Sequence, residues 1–214
     1  MKDKQTKKIR IPILKRLFDI ILASIILILT LPFSILMLLS IFIEHIFRLT
    51  IFAPLFYIET RISQGKPFKL IKFNIFKYRV VAKMKREGKF IHTKELERNN
   101  ALLVVGYFLK QIYLDELPQL INVLKGDLSI VGPRPANLEV HESLVKKGIH
   151  NKDIVRAGIT GLFQSQKNVK GVTDIELDSK YINFCANNSS WKILLFDIKI
   201  ILRTLSVIVK AEGI

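Results

Sequence analysis

From Ile20 to Ile43 the chain runs 24 residues without a charged side chain, and no other feature restricts its fold as strongly. Wound as a helix at about 1.5 Å per residue, such a run can cross a bilayer core of roughly 30 Å. It is too long, and too far from any small-residue cleavage site, for a secretory signal. Basic residues crowd both flanks. Lys2, Lys4, Lys7, Lys8, Arg10, Lys15 and Arg16 precede the run; Arg61, Lys66, Lys69, Lys72, Lys77 and Arg79 follow it. The preference of Lys and Arg for the cytoplasmic side places both flanks on one face. Pro32, near the middle, removes a helix hydrogen bond and favours a kink. A re-entrant helix that bends at Pro32 and leaves by the face it entered satisfies both observations. A straight span stays open, because long domains translocate largely regardless of charge.

The flanks belong to a strongly basic chain. Across 214 residues, 34 Lys and Arg stand against 18 Asp and Glu, a formal net charge of +16. Such an excess points to an anionic partner: nucleic acid, anionic lipid or a phosphorylated molecule. Half of the residues are apolar, enough for a core in about one domain with a membrane element. The one cysteine, Cys185, excludes an intrachain disulfide and any Cys-rich zinc site. His45, His92, His141 and His150 lack metal-ligand spacing and read as surface or loop residues. Lys15 and Asp19, four apart just ahead of the apolar run, are spaced to pair on a helix. Interfacial anchoring by basic residues explains that stretch equally well.

After the membrane element, Ile46 to Tyr57 reads as an interfacial continuation or helix end. FYIETRIS and FKLIKFNIF flank Gln64-Gly65-Lys66-Pro67 and predict a β-hairpin. Lys77 to Arg98 is charged throughout and reads as a surface loop or exposed helix. Ala101 to Gln111 and Asn137 to Lys147 have helical content, while Arg156 to Gln166 reads as a loop. Trp191 to Val209 predicts an amphipathic helix with a basic edge that includes Lys199, Arg203 and Lys210. It suits either an anionic membrane surface or core packing.

The chemistry concentrates in Leu114 to Pro135, LDELPQLINVLKGDLSIVGPRP. Pro118 belongs in a first helical turn, and Leu117, Leu120, Ile121 and Leu124 make a helical stripe. The spacing predicts a helix from about Asp115–Glu116 to Gly126. Both carboxylates would then sit at the positive end of a helix dipole, which favours their ionised forms and attracts phosphate or metal-bound phosphate. A plain N-cap explains the pair as well. The turn Val131-Gly132-Pro133-Arg134-Pro135 adds a rigidly placed guanidinium, a good bidentate phosphate ligand. A carboxylate, a divalent metal and diphosphate oxygens are a constellation for phosphoryl transfer through an acyl-phosphate.

This block, with KRLFDI and RISQGKPFKLIKF ahead of it and RAGITGLFQ behind, resembles the bacterial sugar transferases, the monotopic phosphoglycosyl transferases, in their small minimal form. The resemblance covers about residues 12 to 205. It implies an α+β, mostly helical fold: a re-entrant membrane helix kinked at Pro32, a small β-hairpin, and amphipathic interfacial helices around a compact catalytic domain. The implied organisation is residues 1–19 as a basic N-terminal segment, 20–45 as the re-entrant helix and 46–214 as a membrane-associated catalytic domain. The implied location is the cytoplasmic face of a bacterial inner membrane.

The same resemblance implies transfer of a phosphosugar from a nucleotide sugar, usually a UDP-sugar, to polyprenyl (undecaprenyl) phosphate. This step starts lipid-linked glycan synthesis. Asp115 matches the attacking Asp of the family's Asp-Glu pair, and Glu116 its partner, implied to hold Mg²⁺ or assist proton handling, with Asp115 as the second metal position. Pro133, Arg134 and Pro135 match the phosphate turn, with Lys72, Lys110, Arg156 and Gln164 as further substrate- or phosphate-binding positions. Asp178 and Asp197 fall near two more acidic positions of the family. Departures from the family pattern are Leu31 before Pro32 where Ser is frequent, Asn74 and Lys110 where Arg is usual, and Ala157 where Pro is frequent. The implied partners are the nucleotide sugar, the polyprenyl phosphate and anionic lipid, with no nucleic acid; a homodimer is compatible with the pattern. An inactive membrane-anchored scaffold is the competing reading. A nucleic-acid binder would explain the charge but neither the apolar run nor the acidic pair.

Overall fold

The computed structural model describes residues 8–87, 96, 101–166 and 171–209. Lys2, Lys4, Lys7, His92 and Lys210, together with part of the charged stretch after Arg86, lie outside the described residues. The fold is α+β and mostly helical, as expected. The elements run α1 (Ile13–Phe47), β1 (Phe56–Ser63), β2 (Lys66–Phe73), α2 (Tyr78–Arg86), α3 (Val104–Gln111), a 3₁₀ turn (Leu114–Glu116) and α4 (Gln119–Lys125). Then come β3 (Ser129–Val131), α5 (Leu138–Lys146), α6 (Asn151–Ile154), β4 (Gly158–Thr160), α7 (Leu162–Ser165), α8 (Asp174–Asn187) and α9 (Ser190–Val209).

Helix α1 is one element of 35 residues, about 50 Å long, and it starts seven residues ahead of the uncharged run. Pro32 lies inside it without ending it. The helix is long and apolar enough to cross a membrane, and only 11% of its most apolar stretch is buried within the protein. Ile28, Leu29, Phe33, Leu36 and Leu39 stand exposed along it. A soluble core helix would bury such side chains, so this surface is suited to lipid. Exposed apolar residues continue past its end at Leu49, Ile51 and Phe52, in keeping with an interfacial continuation.

β1 and β2 form the expected hairpin. Its turn is made by Gln64 (φ 51°) and Gly65 (φ 70°), the pair of positive φ values that a tight two-residue hairpin requires. A second sheet pairs β3 with β4 in parallel, Ser129 opposite Gly158 and Val131 opposite Thr160. Residues 156–166 are therefore not a loop: they hold a strand and the short α7. The two chains approach so closely that a Cβ on Gly158 would lie 2.1 Å from the Gly132 nitrogen, and one on Gly132 2.5 Å from the Arg156 carbonyl. Only glycine fits at either place.

The chain divides into two compact units. One comprises Leu27–Ile58 and Ile71–Pro118. Its core gathers Met37, Ile41, Phe73, Ile75, Phe76, Met84, Leu103 and Leu109, with Leu114 and Leu117 packed against it. Glu44 ties α1 to α3 here, accepting from the Val104 and Val105 N–H groups at 3.0 and 3.2 Å. His45 is buried rather than exposed, with Nδ1 3.0 Å from Thr50 Oγ1. The other unit comprises Met1–Ile26, Glu59–Leu70 and Gln119–Ile214. In it, α4 departs from the predicted stripe: Gln119, Leu120, Asn122 and Val123 are buried, while Ile121 and Leu124 stay exposed. Asn122 tolerates complete burial because Nδ2 donates to the Lys69 carbonyl (2.8 Å) and Asp127 Oδ2 (3.1 Å). Arg16 donates to the Val123 and Leu124 carbonyls at 2.7 and 2.9 Å, satisfying the last turn of α4.

Candidate active site

Asp115 and Glu116 sit in a short turn of their own. α3 ends, Tyr113 takes a left-handed conformation (φ 58°), and the 3₁₀ turn Leu114–Glu116 follows. The turn closes through Glu116 N–H to Tyr113 O (3.2 Å) and Leu117 N–H to Leu114 O (3.3 Å). A non-glycine residue in that conformation is a strained position, of a kind that gathers at functional sites. The helix predicted to start at the acidic pair starts at Gln119 instead, just after Pro118. The carboxylates thus lie ahead of α4 rather than in its first turn.

This alters the electrostatics. Asp115 is 7% exposed. Burial, reinforced by the negative charge of Glu116, pushes its carboxyl up to about 7, against the pull of Lys72, its own backbone N–H and Lys110. The dipole argument predicted that the ionised form is favoured; desolvation overrides it. Among the described residues no other group donates a hydrogen bond to the Asp115 carboxyl. Glu116, by contrast, accepts from Lys72 Nζ at 2.8 Å. Lys72 is itself buried on β2, so one unit brings together Asp115, Glu116, Lys72 and the charge of Lys110.

Asn74, where the family pattern has Arg, serves the backbone. Its Nδ2 donates to the Pro54 carbonyl at 2.6 Å, and its Oδ1 accepts from the Phe76 N–H at 3.3 Å. The described residues hold no group of three or more His, Cys, Asp or Glu placed for a metal. The acidic pair therefore does not fit an all-protein cage. It fits an ion such as Mg²⁺, which takes one or two carboxylates and completes its shell with water and substrate phosphate.

The remaining sequence candidates lie in the other unit. After β3 the chain turns through Pro133, Arg134 and Pro135. Both prolines are buried and Arg134 is exposed, so the turn presents its side chain outward. Lys152 Nζ donates to the Arg134 carbonyl (3.0 Å) and pairs with Asp178 Oδ2 at 2.5 Å. Asp178 thus acts on the turn through Lys152; burial raises its carboxyl, and Lys152 opposes the rise. Gln164, in α7, donates from Nε2 to the Ile159 carbonyl at 3.2 Å. Its buried Oε1 has no hydrogen-bond partner, an acceptor left over by the fold. Arg156 is half-buried, its guanidinium held below the ordinary value by burial and by Arg16.

Asp197 belongs to a different arrangement. It is fully buried on α9, where Oδ2 takes Lys15 Nζ and Oδ1 accepts from Tyr181 at 2.8 Å. Lys15 also donates to the Val131 carbonyl (3.1 Å) and lies 4.0 Å from Asp19. Asp19 accepts from Ser129 Oγ (2.7 Å) and the Ile130 N–H (3.1 Å). Lys15 and Asp19 are buried, so the stretch that also reads as interfacial anchoring locks α1 to β3 and α9. The sequence spacing offered the Lys15–Asp19 pair but not its extension to Asp197 and Tyr181, which depends on residues distant in the chain. Asp178 and Asp197 have separate partners and form no common acidic site. The Cys185 thiol, pushed up to about 11 by burial, is not a reactive group.

Residues 10–211 match the family model described as bacterial sugar transferase. The chain belongs to that family. The match bears out the resemblance read from the sequence, and with it the expectation of a sugar-transferring enzyme. Among relatives, the chain is 33% identical to the uncharacterized sugar transferase EpsL of Bacillus subtilis over 94% of this chain and 90% of that protein. It is 35% identical to the UDP-glucose:undecaprenyl-phosphate glucose-1-phosphate transferase of Escherichia coli over 90% of this chain but 39% of that longer protein. The exopolysaccharide production protein ExoY of Rhizobium meliloti is 29% identical over 93% of this chain and 87% of its own length.

Proposed function

We propose that the chain transfers a sugar phosphate from a UDP-sugar to undecaprenyl phosphate through a covalent aspartyl-phosphosugar on Asp115. The observation that carries this reading is a buried carboxyl that no other described residue hydrogen-bonds, beside a carboxylate held by Lys72. A carboxylate bonded only to its own backbone N–H is poorly solvated and therefore a stronger nucleophile once ionised. An Asp115 oxygen attacks the sugar-linked phosphorus; the bond from that phosphorus to the bridging oxygen breaks, and UMP leaves. An oxygen of polyprenyl phosphate then attacks the same phosphorus. The acyl-phosphate bond breaks, Asp115 regains its carboxylate, and polyprenyl diphosphate sugar is formed. Lys72 and Lys110 favour the ionised form of Asp115. Arg134, carried outward by its two buried prolines, suits a diphosphate oxygen, and Lys152 holds that turn. Gln164 and Arg156 are assigned to substrate binding. Asp115 and Glu116 would hold Mg²⁺, which when bound neutralises charge on the donor diphosphate.

The reaction is placed at the cytoplasmic face of a bacterial plasma membrane, with α1 as the membrane element. Support comes from the exposed apolar surface of α1, the basic flanks and the name of the Escherichia coli relative. The test is UMP release by the purified chain in nanodiscs with Mg²⁺, a panel of UDP-sugars and undecaprenyl phosphate. Acceptor-dependent UMP release is expected with at least one donor. No release with any donor would leave the inactive scaffold as the better account.

A further inference from the structure

The segment ahead of α1 is pinned at Ile9. Its N–H donates to the Ile154 carbonyl at 2.9 Å, and Gln64 Nε2 donates to the carbonyls of both Ile9 (2.8 Å) and Ile154 (3.1 Å). Lys8 and Arg10, exposed on either side of Ile9, line a pocket of about 450 Å³ together with Ile11, Arg16, Gln64 and Arg156. Four of these six side chains are cationic and none is acidic.

Two of the cations are held close together. Arg16 is fixed by the last carbonyls of α4. A Cβ on Gly126 would lie 3.5 Å from Arg16 Nη2 and 3.7 Å from Arg156 Nη1, so both guanidiniums flank one glycine turn (φ 90°). Asp19 and Asp127 offset part of the charge on Arg156, but their hydrogen bonds go to Ser129, Ile130 and Asn122, and neither lines the pocket. Four cations around one cavity with no acidic lining residue attract an anion. A guanidinium pair suits the oxygens of a phosphate. Next to the pocket, the first turns of α1 expose Ile13, Leu14, Leu17 and Ile21. That apolar rim has no use for a free ion and suits acyl chains.

We propose that this pocket binds the phosphodiester headgroup of an anionic membrane phospholipid, with the acyl chains along the exposed face of the first turns of α1. The inference shares Arg156 with the proposed substrate-binding set but rests on Lys8 and Arg10, to which it assigns a lipid-binding role outside the transfer reaction.

The test is native mass spectrometry of the full chain released from detergent with added phosphatidylglycerol. One retained lipid per chain is expected. Lys8→Gln/Arg10→Gln should retain it about tenfold less, and Lys8→Arg/Arg10→Lys should restore it. The melting temperature and the phosphosugar adduct of the neutral double variant should match those of the unaltered chain, separating lost lipid from lost fold and from a failed transfer reading. Equal retention by the neutral variant would overturn the proposal. So would displacement of the lipid by millimolar inorganic phosphate, which would mark a free-anion site. Retention of undecaprenyl phosphate but not phosphatidylglycerol would overturn it too, giving the pocket to the acceptor.

Discussion

Two carboxylate clusters in this chain, one around Asp19 and Asp197 and one at Asp115, differ in what surrounds them. Around Asp19 and Asp197 every carboxylate oxygen has a partner: Lys15 and Tyr181 on Asp197, Ser129 and the Ile130 N–H on Asp19. At Asp115 the carboxyl is also buried, yet no other described residue hydrogen-bonds to it, and burial pushes it up to about 7. A completed cluster holds elements together. A carboxyl that no other residue bonds keeps bonding capacity in reserve for something that arrives later. Burial alone therefore does not separate structural from reacting acids; the inventory of partners does.

The comparison is sharpest at Lys15. Lys15→Ala leaves Asp197 buried without its cation, and should cost about 3–5 kcal/mol of stability. Chemical unfolding in detergent would measure it. Near-normal stability would place the Lys15 cluster outside the framework. Lys72→Ala should act on chemistry instead. It frees Glu116 and removes a cation that favours ionised Asp115, so adduct formation should fall about ten- to a hundredfold. Its pH profile should move to higher pH while the fold stays intact. An unfolded Lys72→Ala chain would put the pair with the structural cluster.

The pH dependence follows from the raised carboxyl. On the proposed mechanism adduct formation needs ionised Asp115, so its rate should climb about tenfold per pH unit below 7 and level off above. Stability should run the other way. The fold keeps the proton up to about pH 7, whereas the unfolded chain releases it near 3.8. This contribution is full below about pH 4 and fades as the pH rises to about 7. Asp115→Asn should abolish that loss and melt higher than the unaltered chain at pH 8. The smallest effect is expected at Arg134→Lys. It keeps the charge but loses the fork, so the donor KM should rise several-fold with the fold unchanged.

Local signals were the legible ones. The uncharged run, the Gln64-Gly65 turn and the helices at 138–146 and 190–209 are written in neighbouring residues. The block from Leu114 to Pro135 carried the family with it. What could not be read depends on distant partners. The β3–β4 pairing joins strands separated by two helices, and RAGITG shows no strand signal without its mate. The stripe on α4 failed because Gln119 and Asn122 are buried, Asn122 on bonds to Lys69 and Asp127 that spacing does not reveal. The charge state of Asp115 was misjudged for the same reason: the dipole is a local property, while burial belongs to the whole fold.

The most direct measurement is intact-protein mass after incubation with Mg²⁺ and a panel of UDP-sugars, without acceptor lipid, for the unaltered chain and for Asp115→Asn and Asp197→Asn. A gain of one phosphosugar on the unaltered chain and on folded Asp197→Asn, absent from folded Asp115→Asn, is the predicted result. An adduct that survives Asp115→Asn, or one lost from a folded Asp197→Asn chain, would contradict the division between the two clusters.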